Sequence, residues 1–135
     1  WKAELFHKVM KSGCRAEQAR LETAERLAKF LALIAVVSWR IFFVTMSARA
    51  KPDAAPDSVL TCAEIAALDR LDASRARPCR QRRTLAACLL HIAMLGGYLA
   101  RNHDPPPGNM VVWRGITRLH DIALGIAIGA DRQCG

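Results

Sequence analysis

The chain has 135 residues, 52% of them hydrophobic and 24% charged, with 20 Lys and Arg against 12 Asp and Glu for a net charge of +8. That length holds one domain with a modest core rather than two, and the composition excludes a chain disordered through most of its length. The excess of positive charge, with arginines gathered in "RLDASRARPCRQRR", favours a polyanionic partner, either nucleic acid or an anionic membrane surface. A coding bias that supplies Arg and Ala generously is the plainer alternative. The five cysteines, Cys14, Cys62, Cys79, Cys88 and Cys134, are odd in number and form no C-x-x-C pair, which fits reduced intracellular thiols. Neither end reads as a signal peptide, because the first apolar run comes late and follows charges of both signs. The first residue is not methionine, and the expectation is a piece of a longer chain.

The first predicted element is the amphipathic helix "WKAELFHKVMKSG". Trp1, Leu5, Phe6, Val9 and Met10 share one arc, Glu4, His7, Lys8 and Lys11 share another, and Gly13 suits the end. A mixed-charge segment over 14–23 leads to a long helix with Thr23 as N-cap and Arg26 in its first turn. Its stripe is Leu27, Phe30, Leu31, Ile34, Val37, Ile41 and Val44, with apolar residues nearly all round after Phe30, the pattern of a helix buried on most sides or set in a membrane. The run from Phe30 to Met46 contains Arg40. It falls short of the roughly 20 apolar residues of a span, and a mid-bilayer Arg costs about 2.5–3.5 kcal/mol on insertion scales, so a core helix is expected.

"KPDAAPDS" ends that helix. Thr61 and Glu64 form a capping box that opens a short helix to about Leu71, and the arginine run from Arg75 to Arg83 follows as a loop. The next helix presents Leu85, Cys88, Leu89, Ile92, Leu95 and Leu99, with "GGY" near its end permitting close packing. "RNHDPPPGN" is a turn-rich loop whose prolines favour an extended conformation. The last helix, about Met110 to Ile128, carries Trp113, Ile116, His120, Ala123 and Ala127 at helical spacing. Gly125 and Gly129, four apart, can let another helix come close. No strand-like alternation is present, so the expected fold class is all-α.

Few constellations carry chemistry. Glu4 and Lys11 are seven residues apart, roughly 700° of rotation and about 10.5 Å of rise on an α-helix, so both project from one side. A carboxylate can ligate Mg²⁺ and a lysine can hold a phosphate, although such pairs are everyday features of solvated helix faces. Cys88 and His91 stand at i, i+3, without the second pair of a zinc site. No phosphate-binding glycine loop or nucleophile elbow is visible. The residues alone therefore make no complete active site.

Read together, "WKAELFHKVMKSGCRAEQARLETAERLAKFLALIAVVSWRI", then Glu64 after "LT", then "IAMLGGYLAR" and "PGNMVVWRGITRLHDI" closely resemble the C-terminal part of bacterial cut-and-paste transposases with an Asp-Asp-Glu triad, the insertion-sequence-four family. The family signature is Tyr-x-x-Arg-x-x-x-Glu-x6-Lys, and its Glu-x6-Lys half stands as Glu4 and Lys11. The resemblance covers nearly the whole chain. "DPPPG" departs from it, since a glycine more usually follows the Asp, and so does "LLHIA", where a basic residue and Trp are common.

The resemblance implies that residues 1–13 are the terminal helix of a ribonuclease-H-like catalytic domain otherwise absent from the chain, and that residues 14–135 are a helical domain for DNA-end contact and dimerisation. Glu4 would be the third catalytic carboxylate, holding Mg²⁺ or Mn²⁺ in the intact enzyme only. Lys8, Lys11, Arg15, Arg20, Glu22 and Arg26 would lie along transposon-end DNA, and Arg80, Arg82, Arg83 and Arg101 would face phosphate. Trp113, Ile116, Ala123 and Ala127 would join the contact between two copies in a DNA complex. It further implies a bacterial cytoplasmic, nucleoid-associated protein with no membrane partner and no small-molecule substrate. The alternative is a non-catalytic relic that dimerises or binds DNA and could inhibit an intact transposase.

Overall fold

The computed structural model describes residues 2–14, 16–73 and 84–131, without the side chains of 12, 13 and 131. Among the described residues there are five α-helices and no strand, as an all-α fold requires: α1 (Lys2–Lys8), α2 (Ala24–Ala50), α3 (Cys62–Ala73), α4 (Leu85–Leu95) and α5 (Asn109–Asp131). Local chemistry sets most of their limits. Thr23 Oγ1 accepts from the Arg26 N–H at 3.3 Å to start α2. That helix ends at Ala50, with Pro52 following and the Lys51 N–H returned to Ser47. The capping box at α3 is complete: Glu64 Oε2 accepts the Thr61 N–H at 2.7 Å, and Thr61 Oγ1 accepts the Glu64 N–H at 3.3 Å.

The start of α4 is fastened from a distance. Its first-turn amides at Leu85, Ala86 and Ala87 donate to Ala54 O, Pro52 O and Thr84 Oγ1, at 2.9, 3.0 and 3.2 Å. These three first-turn donors are thus satisfied, two of them by the turn that follows α2.

The core sits where α2, α4 and α5 meet. Ile41 and Val44 from α2, Leu85, Cys88 and Ile92 from α4, and Val112 and Leu119 from α5 are buried, with Ala67 and Leu68 of α3 closing one side. Each such aliphatic side chain contributes about 1.5–3 kcal/mol relative to exposure. The closest approach is between α4 and α5. A Cβ on Gly96 would lie 1.8 Å from Val111 O, and one on Gly115 would lie 1.8 Å from Ile92 O. Backbone touches backbone there because neither residue carries a side chain. By contrast nothing lies within 4 Å of a Cβ built on Gly125 or Gly129, so within the chain the expected helix approach is made at Gly96 and Gly115.

Three expectations change. The first helix is α-helical only to Lys8 and continues as a π turn over Val9–Gly13, closed by the Cys14 N–H to Val9 O at 3.1 Å. The longer ring shifts Lys11 from the straight two-turn register with Glu4. Its apolar face finds partners within the chain: Val9 is buried, and Phe6 meets Phe42 of α2 edge-on at 6.4 Å between centroids. The stripe on α2 is covered only from Ile34 onward. Leu27 and Leu31 stay exposed, as do Leu33, Val36 and Trp39, because the packing partners α4 and α5 meet the later turns. Finally, α4 stops at Leu95, since Gly96 and Gly97 turn the chain with φ +98° at Gly97, leaving Leu99 exposed beyond the helix.

Among the described residues one helix, α2, is long and apolar enough to cross a membrane by length and composition. In its later turns Ile41, Val44 and Ala48 are buried, and Arg40 is tied to Glu64 at 2.8 Å and to Val59 O at 2.6 Å.

Candidate nucleic-acid interface

Glu4, Lys8 and Lys11 are all exposed on α1 and the π turn. The segment that carries them is fixed to the helical body by Val9, by Phe6 on Phe42, and by Ser38 Oγ donating to the buried Cys14 Sγ at 3.3 Å. Burial raises the Cys14 thiol above its usual range, opposed by that hydrogen bond, so this cysteine stays an inert protonated thiol near neutral pH. Cys14, Cys62 and Cys88 are free thiols. A π turn in such a place is common at functional sites. Here Glu4 and Lys8 precede the turn on α1, and Lys11 lies within it.

Lys11 is not idle on this surface. Its Nζ lies 2.8 Å from Glu17 Oε1, with both side chains largely exposed, and the hydrogen bond and charge of Glu17 raise the Lys11 pKa above its ordinary value against slight desolvation. A phosphate recruited to Lys11 therefore competes with Glu17, an interaction between elements that helical spacing does not reveal. Arg20, Glu22 and Arg26 are exposed on the connection into α2 and its first turn, where Lys29 pairs with Glu25 at 2.6 Å. Arg101 is exposed in a turn closed by its own N–H to Asp104 Oδ2 at 2.9 Å and by the Asp104 N–H to Arg101 O at 3.0 Å. Arg15, Arg80, Arg82 and Arg83 lie outside the described residues, as does the arginine run as a whole.

A divalent cation does not fit this donor set. No group of three His, Cys, Asp or Glu side chains is gathered among the described residues, so Glu4 stands as a single carboxylate where a cation such as Mg²⁺ takes several oxygen ligands. Cys88 is fully buried, and His91 Nδ1 lies 3.4 Å from Asp72 Oδ1, the two side chains mostly buried between α3 and α4. This pair is structural in its setting.

Of the hollows among the described residues, two adjoin the residues named above. One, of about 720 Å³, runs between α2 and α5 and is mostly apolar, with Arg40, Glu64, His120 and Asp121 also in its lining; Val36 and Trp39 form one wall, and Trp113, Ile116, Ala123 and Ala127 form the other. The four residues expected at the dimer contact thus share one groove. Trp113, Ile116 and Ala123 are also packed against the core, while Ala127 is exposed. Trp39 stacks on Phe43 at 5.1 Å and 6°, which stiffens the rim. The second hollow, of about 390 Å³, lies between the π turn, α2 and the start of α5.

Thr45, in the wall of this second cleft, is only 5% exposed, yet its hydroxyl has no hydrogen-bond partner among the described residues. Leaving such a group unpaired costs about 1–3 kcal/mol. Replacing Thr45 by valine, which keeps the shape and removes the hydroxyl, is expected to stabilise the free chain by about 1 kcal/mol, read as a higher urea midpoint at unchanged slope. A lower midpoint would mean that the hydroxyl is satisfied after all. Neither this threonine nor Arg49, on the next turn of the same helix face, stood out in the sequence, because both lie in what reads as an apolar core helix.

Searches against protein-family models and against curated proteins give no match to this chain.

Proposed function

We propose that this chain is the C-terminal part of a cut-and-paste DNA transposase of the insertion-sequence-four type, contributing one catalytic carboxylate, contacts to transposon-end DNA and the surface that pairs two copies. The reading grows from the Glu-x6-Lys spacing and the ordered blocks that follow it. The observation that carries it is the presentation of Glu4: an exposed carboxylate beside two lysines, on a segment held to the body by Val9 and Cys14. A group that must meet a reacting phosphodiester has to be accessible and yet fixed; Glu4 is exposed, and the residues that follow it are anchored at Val9 and Cys14.

Within that role the cations do the positioning. Lys8, Lys11, Arg20, Arg26 and Arg101 neutralise phosphates and set the duplex against Glu4, contacts that fix register without reading bases. Glu22 is the carboxylate of this set that can accept from a cytosine amine. The groove between α2 and α5 is the pairing surface, taking an apolar helix face from a second copy. Glu4 is the one carboxylate these residues offer to a Mg²⁺ or Mn²⁺ centre, whose other ligands lie outside the set described.

The test uses this chain and a duplex carrying the element's ends. Binding is expected to weaken steeply with salt, by about −0.9 in the log-log slope for each phosphate neutralised, while no strand is cut or joined with Mg²⁺ or Mn²⁺ present. A flat salt response would remove the DNA-contact role, and metal-dependent cleavage by the chain alone would overturn the assignment of a single carboxylate to it. The lone carboxylate also favours the second reading, a non-catalytic chain that poisons an intact transposase by mixed assembly. Inhibition of that enzyme by added chain, lost when Trp113 is replaced by a charged residue, would identify it.

A further inference from the structure

We propose that Glu17 is an autoinhibitory counter-ion, which keeps the ammonium of Lys11 from DNA until a backbone phosphate displaces it. The proposal rests on the DNA-contact reading above, and it adds to that reading a residue that opposes binding and sets its strength.

The fold makes this pair, and helical spacing does not. Lys11 lies within the π turn Val9–Gly13, and Glu17 lies in the 3-10 turn Ala16–Gln18. On one straight α-helix their spacing would set the two side chains roughly 240° apart. Here the chain bends between them. The Cys14 N–H returns to Val9 O at 3.1 Å, the Ala19 N–H returns to Ala16 O at 3.4 Å, and Cys14 itself is buried and accepts from Ser38 Oγ. Both arms therefore leave a fixed point, and Lys11 Nζ meets Glu17 Oε1 at 2.8 Å. A backbone already ordered lowers the entropy cost of holding two long side chains together.

The other ion pairs show what sets this one apart. Arg40 and Glu64 are equally close, but they are 28% and 13% exposed and the carboxylate also caps α3. That pair is a lock between elements. Lys29 and Glu25 stand at i, i+4 along α2, the ordinary support of a helix surface. Lys11 and Glu17 are 60% and 65% exposed, and among the described residues neither side chain is engaged by any other hydrogen bond or ion pair. A pair so open, and tied to nothing else, is one that a competing anion can take apart.

The electrostatics give the pair its effect. Closed, it presents a dipole to DNA where a free lysine would present a cation. A phosphate that takes the ammonium leaves Glu17 as a bare carboxylate beside it, and that like-charge contact weakens the complex. The hydrogen bond and charge of Glu17 also raise the pKa of Lys11, so the lysine stays charged and only its choice of anion changes. Arg20 and Arg26, both exposed on the following segment, attract the duplex first. Lys11 joins when a phosphate held there replaces Glu17, so contacts made through Lys11 alone are suppressed.

The experiment is a double-mutant cycle read by binding of a short DNA duplex of mixed sequence over a range of salt, for wild type, Glu17→Gln, Lys11→Ala and the double variant. Both residues are mostly exposed, so the four chains should share one urea midpoint within error. Glu17→Gln keeps the size and removes the charge. It is expected to bind about two- to five-fold more tightly at low salt, with a log-log slope steeper by up to about 0.9, the share of one phosphate. In the Lys11→Ala background that gain should largely disappear, because a general benefit from losing an acidic charge does not need Lys11. Persistence of the full gain without Lys11, or Glu17→Gln binding no tighter than wild type, would overturn the autoinhibitory role and leave the DNA-contact reading standing. Absence of duplex binding by all four chains even at low salt would overturn both.

Discussion

Replacing Gly115 by alanine is expected to cost about 3 kcal/mol or more of folding stability, the upper end of what overpacking exacts. The added Cβ would stand 1.8 Å from Ile92 O and 2.6 Å from Ile92 C, so it meets main chain and not the yielding end of a side chain. Only separation of α4 from α5 relieves the clash, and that opens the layer in which Ile92, Val112 and Leu119 are buried. Alanine gains up to about 1 kcal/mol of helix propensity over glycine, too little to offset it. Gly125→Ala is the control: nothing lies within 4 Å of its Cβ, and the propensity gain should appear as mild stabilisation. Urea unfolding of both variants decides the matter. Equal midpoints would show that the two helices do not meet as closely as described.

Glu64→Ala is expected to be the most damaging change of a charged residue, at about 2–4 kcal/mol. One carboxylate oxygen accepts from the Thr61 N–H, the Thr61 hydroxyl and Arg40 Nη2. Its removal uncaps α3 and strands a guanidinium whose remaining partner is Val59 O. Both side chains are partly screened from water, 13% exposed for Glu64 and 28% for Arg40, so the loss exceeds that of a surface pair, commonly below about 1 kcal/mol. Glu64→Gln keeps an acceptor for the cap and should cost about half as much. A double-mutant cycle with Arg40→Met isolates the ion pair, and a coupling within error of zero would assign the whole effect to capping. Arg40 and Glu64 also line the apolar groove, so if that groove is the pairing surface proposed above, Glu64→Ala should weaken pairing along with folding.

The elements that were legible in advance carry their signal within a turn or two of chain. Thr23 and the Thr61–Glu64 box announce helix starts by residue type and spacing, and "KPDAAPDS" announces an end. What was hidden depends on partners far along the chain. The apolar stripe of α2 does not say which half will be covered, because periodicity records a face and not its neighbour. Arg40, which read as an interruption in an apolar run, is matched by a glutamate 24 residues later. The π turn is equally invisible, since its extra residue breaks no pattern of residue type. At the candidate interface Glu4 and Lys11 stand out through motif spacing, whereas the Glu17 that pairs with Lys11 follows from no helical spacing, because the turn between their elements brings it there.

The double clip at the start of α4 has a consequence for how such a chain can vary. Thr84 is placed by hydrogen bonds from Leu85 and Ala86 to the turn at 52–54, and Ala73 ends a helix docked through Ala67 and Leu68. Both ends of the arginine-rich stretch between them are therefore anchored by residues outside it. Both clip bonds run main chain to main chain, so substitutions at Ala54 or Ala86 can change the side chains there while α4 keeps its place against the turn that follows α2.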